Sequence, residues 1–200
     1  MKRLPLLLAL SLLPLASLPA APAKPKPAPT ETAIEKRVDA LWEKSDKAFH
    51  AGDYPLAVAF HRQIVKLAPN DTESYGDAAW LLWSMGQKAD ARAFIAQGLR
   101  ANPNNAEMWD TAGEHYTLEH SFADAKNAFL KAVQLSGNKA PELLRHRLAH
   151  AAEDSGDLAL ATQTWTKLVR DYPGNVINQR NLDRVKARAN PTPRATGPVV

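Results

Sequence analysis

Cysteine is absent from the 200-residue chain. That excludes a disulfide framework and lipid attachment through an N-terminal cysteine. Charge of one sign is scarce as well. The formal net charge is +4, carried by 25 basic residues spread along the chain against 21 acidic ones. Phosphate recognition needs Lys and Arg gathered on one face, so no nucleic-acid partner is expected. Apolar runs of spanning length are missing too. The longest stretch, Leu4 to Leu18, is interrupted at Pro14 and ends at Pro19, whereas a membrane helix needs about 20 mainly apolar residues. No segment has a convincing strand pattern, no glycine-rich loop follows a strand, and no serine sits in a nucleophile elbow, so catalysis is not expected.

Metal chemistry has one weak candidate. His146 and His150 lie one helical turn apart with Glu142 and Glu153 near the same stripe. Arg147 stands where a His-Glu-x-x-His site would carry its glutamate, and a resident metal wants more converging ligands. The reading is therefore no metal, no cofactor and no enzyme.

The ends of the chain have their own character. Lys2 and Arg3 precede the apolar run, and Ala21-Pro22-Ala23 offers small residues for cleavage, with a cut after Ala20 as the rival. Residues 1–23 thus read as a signal peptide. This predicts export to the periplasm without stable membrane insertion; an uncleaved N-terminal anchor in the inner membrane is the alternative. Residues 24–33, with Pro25, Pro27 and Pro29, form a spacer, and residues 190–200 a second proline-rich tail.

Between these ends the sequence repeats every 34 residues: Leu67-Ala68-Pro69-Asn70-Asp71 is answered by Ala101-Asn102-Pro103-Asn104-Asn105. Leu135-Ser136-Gly137-Asn138 and Asp171-Tyr172-Pro173-Gly174-Asn175 continue the series, the last displaced by two residues. Each unit reads as two helices. Gly52, Gly86 and Gly156 mark the turn within a unit, where a left-handed residue is needed; His120 stands there in the third. A left-handed His120 would cost about 1–2 kcal/mol. Ala57, Ala91, Ala125 and Ala161 recur where the paired helices must cross closely. Asn70 with Glu73, and Asn104 with Glu107, have capping-box spacing, while Asn138 and Pro141 suit the start of the seventh helix.

This grammar resembles the tetratricopeptide repeat family. Unit three carries Trp109, Ala112, Gly113 and Tyr116, then Ala125, Phe129 and Ala132. Unit one keeps Ala48, Tyr54, Ala57, Ile64 and Pro69; unit two Tyr75, Ala78, Ala79, Ala91, Gly98 and Pro103; unit four Leu148, Ala149, Ala152, Gly156, Ala161, Trp165 and Pro173. The resemblance implies an all-α fold: a right-handed superhelix of antiparallel helix pairs, closed by a C-terminal capping helix. The domain would run over 34–189, with repeats at about 38–71, 72–105, 106–139 and 142–175 and the cap at 176–189. Trp109, Tyr116, Phe129 and Trp165 are expected in the core.

In the family the first helices form the concave wall, where ligands lie. Carried over by register, that wall comprises Trp42, Asp46, Phe49 and His50 in unit one and Trp80 and Trp83 in unit two. Asp110 and Glu114 follow in unit three, and His146, His150 and Glu153 in unit four. Aromatic anchors beside carboxylates suit a protein or peptide segment carrying basic and apolar side chains. The expectation is a non-catalytic binding scaffold, with a structural or self-associating envelope module as the alternative.

Overall fold

In the computed structural model residues 30–190 are described. The signal peptide, most of the spacer and the tail after Asn190 lie outside them. The described residues fold into helices α1 (Glu31–His50), α2 (Tyr54–Leu67), α3 (Thr72–Ser84), α4 (Lys88–Ala101), α5 (Ala106–Leu118), α6 (Phe122–Ser136), α7 (Glu142–Asp154), α8 (Leu158–Asp171) and α9 (Val176–Ala189). They pair as α1/α2, α3/α4, α5/α6 and α7/α8, and α9 covers α8. None of these helices is long and apolar enough to cross a membrane.

Each pair closes in the same way. At the turn the backbone enters the left-handed region, at Gly52 (φ 75°), Gly86 (φ 80°), His120 (φ 58°) and Gly156 (φ 83°). The amide after it donates back to the first helix, as Asp53 N to Ala48 O at 2.9 Å and Ser121 N to Tyr116 O at 2.8 Å. Such bonds satisfy carbonyls that a helix end leaves open. His120 does so without glycine's freedom.

The unit-to-unit caps sit one residue later than the capping-box spacing suggests. Asp71, not Asn70, caps α3 through Oδ1, which accepts from Ser74 N at 2.9 Å. Asn105, not Asn104, caps α5 by accepting from Glu107 N and Met108 N. The cause is the preceding turn: Asp71 N donates to Ala68 O and Asn105 N to Asn102 O, which uses Asn70 and Asn104 as turn residues behind the prolines. Asn138 does not cap α7 either. It lies in a short 3-10 turn, Gly137–Lys139, and Pro141 precedes the helix.

The crossing alanines Ala57, Ala91, Ala125 and Ala161 are fully buried. One turn further along the same face, a single register of the second helices supplies the large core side chains Ile95, Phe129 and Trp165. Trp109 and Tyr116 are half-buried, flanking the core rather than filling it. In α2 that same register holds His61, also buried. Its ring nitrogens face two buried hydroxyls, Nε2 2.9 Å from Ser45 Oγ and Nδ1 3.3 Å from Ser74 Oγ. Unit one therefore has a polar pin where the others have hydrocarbon.

At the other end, α9 is fastened by polar groups as well as by Leu182 and Val185. Asn178, fully buried, donates to Glu142 and to Leu168 O and faces His146 Nε2 across 2.7 Å. Glu153, 4% exposed, accepts from Arg184 at 2.6 Å and Arg188 at 2.5 Å.

Candidate functional site

The first helices of the pairs line up along one face, and a single register decides how closely each meets the next. At successive junctions the facing positions are Trp42 and Asp77, Gly76 and Thr111, and Asp110 and Arg147. In the middle pair, a Cβ on Gly76 would stand 2.9 Å from Thr111 Cγ2, so only glycine allows this approach. α3 accordingly packs directly on α5, while α1 against α3 and α5 against α7 make no comparable contact. Both outer junctions open into clefts.

The first cleft, about 310 Å³, is walled by Trp42, Phe49, Trp80 and Leu81, with Ser45 and His61 also lining it and Asp46 and Asp77 adding carboxylates. Trp42 is held in place twice. Its indole stands edge-on to the His61 ring, 4.9 Å between centroids, and its Nε1 donates to Asp71 Oδ2 at 3.1 Å. The other outer cleft, about 430 Å³, lies between α5 and α7, bordered by Glu114, Thr117, Leu143, His146, Arg147 and His150. A smaller depression of about 220 Å³ lies between the two: Trp80 borders it and the first cleft, and Glu114 borders it and the last.

Of the expected wall residues, Trp42, Asp46, Phe49 and Trp80 thus meet in one cleft and Glu114, His146 and His150 in another. Four stand elsewhere. His50 is exposed on the rim, where its Nδ1 faces Asp46 O. Trp83 packs against the core of the first units under Lys88. Asp110 is half-buried and committed to Arg147 at 2.6 Å. Glu153 turns toward α9 and its two arginines. Sequence reasoning missed Ser45, His61, Asp77 and Arg147. The signal for His61 was available: it occupies the repeat position of Ile95, Phe129 and Trp165.

Electrostatics separate the clefts further. Burial lowers the His61 pKa to about 4, partly opposed by Asp71. The Asp77 carboxyl is pushed up to about 6, by partial withdrawal from water and then by Glu73 and Asp71. No cation among the described residues pairs with Asp77, whereas Arg147 occupies both Asp110 and Glu114. The Ser45 and His61 contact is no catalytic dyad. An imidazole of so low a pKa is a weak base, and its second nitrogen faces a hydroxyl rather than an orienting carboxylate. No group of three or more His, Asp or Glu among the described residues is placed to hold a metal.

A tetratricopeptide repeat model matches residues 48–113, from the end of α1 into α5. Over that stretch the chain carries tetratricopeptide repeats. The whole stack agrees with solved tetratricopeptide-type structures. A MamA fragment from Desulfovibrio magneticus RS-1 superposes with a TM-score of 0.60 at 16% identity, covering 78% of this chain and 88% of the other. YrrB, described as a TPR protein with an unusual peptide-binding site, gives 0.56 at 17% identity over 78% and 85%. Pseudomonas aeruginosa pilF gives 0.58 at 14% over 78% and 70%. At such identities the likeness shows the fold alone. No curated protein matches the sequence significantly. In this stack the first helices carry the clefts.

Proposed function

We propose that the protein is a non-catalytic scaffold of the periplasm that holds a protein or peptide segment along the face of α1, α3, α5 and α7. The observation that carries this reading is the row of three adjoining depressions on that face, linked through the shared Trp80 and Glu114. An extended segment could lie along such a row with side chains entering it. Phe49 and Trp80 are exposed by 39% and 45%, the kind of apolar area that association hides at little ordering cost. The acids Asp46, Asp77 and Asp154 favour a basic partner. Lys2, Arg3 and the apolar run behind them support export.

Titration of a peptide panel against the wild type and a Trp42→Ala, Trp80→Ala double variant tests the reading. The variant should lose at least tenfold in affinity for its best peptides, with weaker binding at higher salt. Equal affinities would remove this face from consideration.

A second reading, a self-associating envelope module, draws on the far end of the stack. Val176 and Ile177 are 63% and 56% exposed at the start of α9. A concentration-dependent sedimentation shift, abolished by Val176→Ser with Ile177→Ser, would favour it.

A further inference from the structure

The register that sets the junctions also assigns an occupant to the first cleft. At the α5/α7 junction Arg147 bridges two acids one turn apart on α5, Asp110 and Glu114. The corresponding α1 positions are Trp42 and Asp46, and the α3 position matching Arg147 is Asp77. One junction therefore carries its own guanidinium between two carboxylates. In the other, the place of that guanidinium is taken by an acid, Asp77, which together with Asp46 borders an open cleft among aromatic side chains.

We infer that the cleft between α1 and α3 receives the guanidinium of an arginine side chain on the bound partner. This deepens the scaffold reading and rests on it. Three features fit that group better than another cation. The walls are aromatic side chains, Trp42, Phe49 and Trp80, a type of group with which a planar, weakly hydrated guanidinium stacks. Asp46 on α1 and Asp77 on α3 both line the cleft, which offers a forked donor two carboxylates, as Asp110 and Glu114 offer Arg147. The volume, about 310 Å³, is at the lower end of ligand clefts and suits one side chain rather than a folded element. Selectivity follows from geometry. Citrulline has the shape without the charge, and lysine the charge without the plane.

The test uses the full-length protein, Nα-acetyl-arginine amide and its citrulline and lysine counterparts, read by the indole N–H resonances of Trp42 and Trp80. The arginine compound should shift both indoles saturably at pH 7.5. Citrulline should bind at least tenfold more weakly, and lysine about threefold more weakly. Asp77→Asn, a change at a carboxylate that no cation among the described residues pairs with, should weaken the arginine compound about tenfold while the melting curve keeps its cooperativity. Citrulline binding as well as arginine, Asp77→Asn without effect, or shifts confined to Trp109 or Trp165 would each overturn the assignment. The peptide panel separates the two levels. If panel peptides still depend on Trp42 and Trp80 while the arginine compound ignores Asp77, the scaffold reading stands and the guanidinium site falls.

Discussion

Arg147 of α7 lies 2.6 Å from Asp110 of α5 and also contacts Glu114, so a single guanidinium spans the open junction between the third and fourth units. Partial burial, helped by the charges of Glu114 and Glu107, raises the Asp110 pKa despite the pull of Arg147. Arg147→Ala leaves that carboxyl unpaired. The expected loss is about 1–3 kcal/mol, measured by urea denaturation at pH 7.5. Arg147→Lys should recover only part, because a compact ammonium does not span both acids as a fork does.

Glu153 should be worth more than a surface pair. It is buried and holds Arg184 and Arg188, each about half-exposed. Burial pushes its pKa up, but the two arginines together outweigh that and hold it below the usual range. Glu153→Gln should cost roughly 2 kcal/mol, below the range for fully buried pairs because the arginines reach water. Amide exchange should rise first in α9. Unchanged exchange there would argue against the clamp.

Two helix glycines each face a buried aromatic ring. A Cβ at Gly113 would meet Phe129 Cε1 at 2.4 Å, and one at Gly98 would meet Met108 Sδ at 2.6 Å and Tyr75 Cγ at 2.8 Å. Methionine is flexible, but the Phe129 and Tyr75 rings are both buried, and Tyr75 Cγ lies close to its own backbone. Gly113→Ala and Gly98→Ala should therefore each destabilise by about 1–3 kcal/mol, overriding alanine's helix preference. Thermal melts of the two variants check this.

At His120 the strain is in the backbone. With φ at 58°, and glycine at the three equivalent turns, His120→Gly should raise stability by about 0.5–1 kcal/mol, the relieved strain being partly offset by glycine's unfolded-state entropy. A lower melting temperature would mean the imidazole makes a compensating contact, for which its edge-on approach to Phe122 is the candidate.

The pH response combines two opposed groups. His61 has a folded pKa of about 4 against 6.5 unfolded, so its contribution is complete above pH 6.5 and lost as pH falls toward 4, roughly 3 kcal/mol in all. Asp77, at about 6 against 3.8, acts in the other direction: the folded state gains as pH falls from 6 toward 3.8. Wild-type stability should thus decline gently between pH 6.5 and 4.5. Asp77→Asn should be more stable at pH 7.5 and decline more steeply on acidification. Parallel curves for the two proteins would refute the assignment.

The helix pairs were legible because steric demands recur at fixed spacing: glycine or its substitute at the turn, alanine at the crossing, proline after the second helix. The capping residues were displaced by one because a proline-led turn consumes the asparagine that spacing alone nominates. The wall was legible in register but not in orientation. Trp83 and Phe49 share a repeat position, yet Phe49 borders a cleft and Trp83 leans into the core. Glu153, also in that register, found arginines on a helix outside the repeat pattern. Pairings of that kind arise between elements, and periodicity within one element carries no record of them.

The glycine contact between α3 and α5 has a mechanical consequence. With Gly76 against Thr111 the central junction is closed along the first helices, whereas the outer two are closed by α2 on α3 and by α6 on α7. A segment seated across both outer clefts would add contacts on the first-helix edge, so that occupancy would tie the first and fourth units to the centre on the side the fold leaves open.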